Sequence, residues 1–108
     1  MSATNEAPMR LESREELEQL VADHDRVLVD FYTKGCPLCQ SIEPVIGNVA
    51  KVSDVTVAML NPRESPGLIE EFNIKSVPML VLFEEGEEVD RMADGFRGTD
   101  AIIEFVDG

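Results

Sequence analysis

The chain has 108 residues, enough for one domain with a single buried core, and 44% of them are hydrophobic. Its 22 acidic and 9 basic side chains give a formal net charge of -13 at pH 7, which argues against nucleic acid and anionic membrane surfaces as partners. No apolar run approaches the ~18 residues of a membrane span. An acidic, lysine-poor composition predicts a halophilic protein, because in molar salt the Debye length falls to ~3 Å and self-repulsion is screened. The alternative is a mesophilic acidic domain that uses its charge for solubility.

The start of the chain predicts a strand, a helix and a second strand. Residues 9–11 indicate a short edge strand. Ser13 and Glu16 have the spacing of a capping box, so a helix begins there and ends near Asp23. The run 27–32 is rich in β-formers and nearly continuously apolar, which is typical of a central strand covered on both faces.

The rest of the chain alternates helices with strands and ends in a hairpin. A second helix, kinked at Pro44, is predicted next, followed by a buried strand over 55–60. A short helix with three apolar residues on its inward side comes after it: Leu68, Ile69 and Phe72. Residues 79–83 and 89–93 predict an antiparallel hairpin around a turn at 84–87, and a closing helix completes the chain. This order predicts an α/β fold with a central mixed β-sheet flanked by helices on both faces.

The two cysteines, Cys36 and Cys39, stand where the central strand passes into the second helix. Two intervening residues let a thiol in the first helical turn and the next thiol one turn later approach disulfide distance. Unpaired amide groups at a helix start stabilise a thiolate, so Cys36 is predicted to be the exposed nucleophile with a lowered pKa. Cys39, deeper in the helix, is predicted to be the buried resolving thiol. Pro37 suits this arrangement because its missing amide hydrogen falls in the first turn.

Half of a zinc site is the alternative interpretation of a Cys-x-x-Cys pair. The chain has no third cysteine and a single histidine, His24, placed beyond the end of the first helix. His24 is instead predicted to be a solvated helix-end residue. We therefore predict neither a metal nor another cofactor, and a metal bridging two chains stays open as an alternative.

In their order and separations, four motifs resemble the thioredoxin family: Val27-Leu28-Val29-Asp30-Phe31-Tyr32, Cys36-Pro37-Leu38-Cys39, Pro44 and Ser76-Val77-Pro78. The resemblance runs from about Met9 to the C-terminus. It implies a thioredoxin fold, with a flexible N-terminal segment at 1–8 and a thioredoxin domain at 9–108. It also implies that the Cys36/Cys39 dithiol reduces protein disulfides, with disulfide-containing client proteins as substrates and a thioredoxin reductase as electron donor. Residues 1–10 lack the basic start and apolar stretch of a secretion signal, so a cytoplasmic location is expected. The protein is also expected to be a monomer.

The resemblance further implies roles for residues around the cysteines. The aspartate that matches Asp30 is buried in thioredoxins, so Asp30 is expected to accept the proton of Cys39; the alternative is a strand-end carboxylate turned to water. The Val77–Pro78 bond is expected to be cis and to face the disulfide. Six residues are expected to form the client-binding surface: Gly35, Pro37, Leu38, Val77, Pro78 and Gly95. Phe96 would either line this groove or pack in the core.

Three departures from the family pattern affect these expectations. Gly35 stands where a tryptophan is usual, and Pro37-Leu38 places proline first, as in the Cys-Pro-Tyr-Cys of glutaredoxins. Met59 replaces a lysine near the buried aspartate, so Asp30 is expected to titrate at higher pH than usual. Two alternative functions stay open: a glutaredoxin-like oxidoreductase coupled to a small thiol, and a non-catalytic binding or metal-carrier module. Asp30 and the complete first strand and helix argue against the glutaredoxin-like alternative.

Overall fold

The computed structural model describes residues 8–65, 67–92 and 98–107. Within these ranges, strands and helices follow the predicted order: β1 (Met9–Leu11), α1 (Arg14–Asp23), β2 (Arg26–Phe31), α2 (Pro37–Val52), β3 (Thr56–Leu60), α3 (Leu68–Glu71), β4 (Met79–Glu84), β5 (Glu87–Met92) and α4 (Thr99–Asp107). A 3-10 turn, Pro62–Glu64, lies between β3 and α3. The flexible segment predicted for 1–8 lies outside the described residues except for Pro8.

The five strands form one mixed sheet in the order β1-β3-β2-β4-β5. β1, β3 and β2 run parallel, whereas β4 and β5 continue the sheet antiparallel to β2 and to each other. β2 therefore occupies the centre, which explains its nearly unbroken apolar sequence. In this register Asp30 of β2 lies between Met59 of β3 and Leu80 of β4.

Two hydrophobic clusters cover the two faces of the sheet, which confirms helices on both sides. Leu17 and Leu20 of α1 and Leu68 of α3 pack on one face. The other face is covered by α2 and α4 through these residues: Ile42, Ile46, Val49, Ile102 and Val106. Within the described ranges, no helix is both long and apolar enough to cross a membrane.

Short-range signals account for where most elements begin and end. At the start of α1 the backbone N–H of Glu16 donates to Ser13 Oγ at 3.1 Å, as the capping box predicts. The hairpin turn is tighter than predicted: β4 and β5 are joined by Glu85 and Gly86 alone. Both have positive φ, 55° and 87°, which is the backbone that a two-residue hairpin turn requires.

The prediction that Ile69 faces inward is wrong, because its side chain is 43% exposed. The helix α3 has only four residues, so it directs one row of side chains at the core. Leu68 and Phe72, four positions apart, share that row. The ring centre of Phe72 lies 5.5 Å from that of Phe31 and 5.9 Å from that of Phe83. Ile69 lies about 100° around the helix from that row and faces solvent.

Candidate active site

Cys36 and Cys39 are joined by a disulfide at the start of α2, with their Cα atoms 5.2 Å apart. Cys36 is the residue that caps this helix: its Sγ accepts a hydrogen bond from the backbone N–H of Cys39 at 3.1 Å. Its carbonyl oxygen accepts from the N–H of Gln40 at 3.1 Å. The sulfur of Cys36 therefore lies at the positive end of the helix dipole, where a hydrogen bond and the dipole both favour a negative charge.

The two sulfurs differ in their access to solvent. The side chain of Cys36 is partly exposed, whereas Cys39 is only 4% exposed. Pro37 and Leu38 between them are exposed, Leu38 to 48%. An incoming disulfide can therefore reach Cys36 first, with Cys39 one turn behind it.

A second loop faces the disulfide from the start of β4. The Val77–Pro78 peptide bond is cis, as the resemblance implies, and the carbonyl oxygen of Val77 lies 4.0 Å from Cys36 Sγ. Pro78 is buried and Val77 is partly exposed. Gly95 and Phe96, which were expected to line the same groove, lie outside the described residues.

Gly35, immediately before Cys36, is exposed and has φ +74°. That is the left-handed region, which residues other than glycine adopt only with strain. A Cβ added at this position would meet no atom within 4 Å, so only the backbone conformation restricts it. The loop that leads into α2 is thus built for glycine, where the family pattern usually has tryptophan.

Asp30 is completely buried, which excludes the water-facing alternative. Its neighbours across the sheet, Met59 and Leu80, belong to the cluster that packs beneath α2 and α4. Neither carboxyl oxygen has a hydrogen-bond partner among the described residues. The pKa of Asp30 is raised from 3.8 to about 7: burial is the largest cause, the nearby Glu43 adds to the rise, and Arg10 opposes it. Asp30 can therefore bind and release a proton near neutral pH.

A pocket of about 230 Å³ opens beside Cys39. Its lining residues come from the end of β2, the following loop, α2 and β3: Tyr32, Thr33, Lys34, Gly35, Cys39, Gln40, Glu43 and Met59. Outside it, Arg10 Nη2 lies 2.6 Å from Glu43 Oε2, and Arg10 Nη1 donates to the Tyr32 hydroxyl at 3.3 Å.

Sequence reasoning missed Arg10 and Glu43. Glu43 follows Cys39 by one helical turn, and this spacing could have placed it beside the resolving thiol. Arg10 had no such signal, since it reaches the site only through the pairing of β1 with β3.

No cluster of three or more His, Cys, Asp or Glu side chains in the described ranges has the geometry to hold a metal ion. The thioredoxin family model matches residues 9–108. The chain belongs to the thioredoxin family.

Individual thioredoxins agree with this match in sequence and in structure. The chain is 35% identical to the thioredoxin of Chlamydia caviae over 81 residues, which is 74% of this chain and 78% of that protein. It is 33% identical to the thioredoxin of Mycoplasma pneumoniae over 97 residues, 89% of this chain and 94% of that one. A mutant thioredoxin from Halobacterium salinarum NRC-1 superposes with a TM-score of 0.92 at 33% identity, covering 99% of this chain and 94% of that chain.

The thioredoxin fold is thereby confirmed, and with it the class of chemistry. A thioredoxin-family chain whose only two cysteines form a Cys-x-x-Cys pair at disulfide distance is a thiol-disulfide oxidoreductase. Its substrates are disulfides, and a reductase must return the oxidised pair to the dithiol.

Proposed function

We propose that this thioredoxin-family protein reduces disulfides of client proteins by two successive exchange reactions. In the first, the Cys36 thiolate attacks one sulfur of the client disulfide; that disulfide breaks, a Cys36–client mixed disulfide forms, and the other client sulfur leaves as a thiolate. In the second, the Cys39 thiolate attacks Cys36 Sγ and displaces the remaining client sulfur. Two electrons pass to the client, the Cys36–Cys39 disulfide results, and a thioredoxin reductase restores the dithiol.

The observation that carries this proposal is the hydrogen bond from the Cys39 N–H to Cys36 Sγ at the start of α2. Such a donor stabilises a sulfur anion more than a neutral thiol, so it favours the attacking form of Cys36. Partial exposure of Cys36 and burial of Cys39 support the same order of attack.

The second step requires that Cys39 lose a proton while it is buried. We assign the acceptor role to Asp30, which lies beneath α2 and has a pKa of about 7. A base whose pKa is near the working pH is the most effective proton acceptor, because it is largely unprotonated and still basic.

The client is proposed to lie across the surface beside Cys36. Gly35, Pro37 and Leu38 supply exposed contacts on one side. The partly exposed Val77 supplies the other side, with the buried Pro78 behind it. The Val77 carbonyl, 4.0 Å from Cys36 Sγ, is positioned to accept a hydrogen bond from the backbone of an extended client segment. Gly95 is proposed to border the same groove.

Reduction of insulin by wild type, Cys36→Ser and Cys39→Ser tests the mechanism. Cys36→Ser should fall to the background rate and trap no client. Cys39→Ser should also lose turnover, but it should accumulate a Cys36–insulin mixed disulfide that mass spectrometry detects and a thiol reductant releases. Equal, negligible insulin reduction by wild type and Cys36→Ser would contradict the proposal and favour a binding module.

The electron donor is tested in a second assay. Insulin turnover should be sustained by a thioredoxin reductase and not by glutathione coupled to its reductase. Turnover with glutathione alone would point to the glutaredoxin-like alternative.

We further propose that the protein works as a monomer in the cytoplasm of a halophile, with residues 9–108 as the functional domain and 1–8 as a flexible segment. Its net charge of -13 and its likeness to a Halobacterium salinarum thioredoxin support the halophilic origin. The use of both cysteines in the active pair, with none left for a structural disulfide, supports a reducing compartment. Sedimentation tests whether the protein is a monomer. Limited digestion with a protease that cleaves after glutamate tests the flexible segment, in which it should cut at Glu6 before any site within 9–108.

A further inference from the structure

The pocket beside Cys39 has charged side chains at its mouth. Glu43 lies four residues after Cys39, on the same side of α2, and lines the pocket with it. Arg10 of β1 pairs with Glu43 at 2.6 Å, and its guanidinium carbon also lies 5.7 Å from the centre of the Tyr32 ring. The pair thus ties β1 to α2 at the point where the pocket meets solvent.

Asp30 lies behind this pocket. Met59, directly opposite Asp30 in the sheet, lines the pocket, and so does Tyr32, two residues further along the chain and on the same face as Asp30. Asp30 has no hydrogen-bond partner in the described part of the chain, so no neighbouring donor fixes its charge. Its ionisation is therefore open to the influence of charges at the pocket mouth.

The charged and titratable groups that surround Asp30 are few. The neighbouring strands place Met59 and Leu80 opposite it, neither of which titrates. From α4, Ile102 and Val106 pack on this face, and the acidic residues of that helix are exposed. The groups that remain come from α2, from the end of β2 with its loop, and from β1: Cys39, Glu43, Tyr32, Lys34 and Arg10.

We propose that Glu43 and Arg10 are positioning residues that set the proton affinity of Asp30 in opposite directions, and through Asp30 the proton loss of Cys39. This inference rests on the proposed function, in which Asp30 accepts that proton. The negative charge of Glu43 favours the protonated carboxyl and the positive charge of Arg10 favours the carboxylate. Because both side chains are about half exposed, 55% for Arg10 and 44% for Glu43, they reach Asp30 as partly screened charges.

The opposite signs separate this role from a structural one. Glu43→Gln removes the anion and leaves Arg10, so Asp30 should titrate at lower pH. Arg10→Gln removes the cation and leaves Glu43, so Asp30 should titrate at higher pH. If the ion pair served only to hold β1 against α2, either change would break it, and both would shift the titration in the same direction or not at all.

The experiment follows the carboxyl carbon of Asp30 by NMR in oxidised protein labelled at aspartate, so that neither cysteine titrates. The resonance missing from Asp30→Asn identifies it. Spectra are recorded over a pH series at the lowest salt in which the protein is fully folded. We expect the midpoint to move by about half a pH unit down in Glu43→Gln and up in Arg10→Gln, and to lie close to wild type in the double variant.

A matched pair of variants controls for loss of an ion pair as such. Arg14 and Glu71 join α1 to α3 at 2.9 Å and are similarly exposed, but they lie on the other side of the sheet. Arg14→Gln and Glu71→Gln should leave the Asp30 midpoint unmoved. Shifts as large as those in the Arg10 and Glu43 variants would overturn the proposal.

A functional readout completes the test. The pH dependence of single-turnover insulin reduction should move in the same two directions as the NMR midpoint. If Asp30→Asn changes that pH dependence but Glu43→Gln and Arg10→Gln do not move the Asp30 midpoint, the present inference is wrong and the proposed function stands. If Asp30→Asn leaves the pH dependence unchanged, the assignment of Asp30 as proton acceptor fails instead.

Discussion

Replacing Asp30 by asparagine tests whether the buried carboxyl destabilises the fold when it ionises. In the unfolded chain this carboxyl ionises with the ordinary pKa of 3.8, whereas in the folded protein its pKa is raised to about 7, mainly by burial. Well below pH 3.8 both states are protonated and no penalty exists. As the pH rises towards 7 the unfolded chain releases a proton that the folded protein keeps, so wild type loses stability with rising pH.

The size of the effect follows from the two pKa values. Each unit of pKa difference is worth about 1.4 kcal/mol, so the full penalty, reached above pH 7, is about 4 kcal/mol. Between about pH 5 and about pH 8 it grows by about 2.5 kcal/mol. Asparagine cannot ionise, so Asp30→Asn should gain that amount of stability relative to wild type over this range. Any cost of burying the amide is the same at both pH values and cancels.

Urea denaturation of the oxidised proteins measures this difference, with the disulfide intact and the salt concentration constant. Glu104→Gln is the matched control, because Glu104 is exposed and the difference from wild type should not change between the two pH values. An Asp30→Asn advantage that is equal at pH 5 and pH 8 would refute the reasoning, since it would mean that the carboxyl ionises alike in both states.

Three further predictions concern the helix start, the loop before Cys36 and the surface charge. Ser13→Ala removes the acceptor of the Glu16 N–H and should lower the free energy of unfolding, measured by urea denaturation, by about 1 kcal/mol. An unchanged free energy of unfolding would mean that this cap does not stabilise the protein. Gly35→Ala should lower the free energy of unfolding by about 1–2 kcal/mol, because alanine is strained at a φ of +74°. Gly47→Ala, inside α2 and equally free of close neighbours, should raise the free energy of unfolding by about 0.5–1 kcal/mol. Effects of the same sign in the two variants would contradict this account. The urea concentration at the unfolding midpoint of wild type should rise markedly when KCl is increased from about 0.1 M to about 2 M, because molar salt screens the repulsion within a chain of net charge -13. A constant midpoint would count against a halophilic origin.

The amino-acid sequence by itself determined the order of the elements and the position of the reactive pair. Both depend on local signals: apolar spacing distinguishes strands from helices, and the capping box at Ser13 marks a helix start. Cys36 and Cys39 follow a central strand at the beginning of a helix, so their spacing alone brings the two sulfurs together. The same signals predicted that Ile69 faces inward, but α3 has only four residues and Ile69 is exposed.

Only the tertiary structure decided the surroundings of these cysteines. The burial of Asp30 was implied by the family resemblance rather than by its own sequence context, and the positive φ of Gly35 had no local signal. Arg10 and Glu43 are 33 residues apart in the chain, yet they meet at the pocket beside Cys39. The reason is physical: side-chain spacing fixes which way a residue points within its own element, whereas the field at a buried carboxyl is the sum over charges that strand pairing and helix packing bring near it.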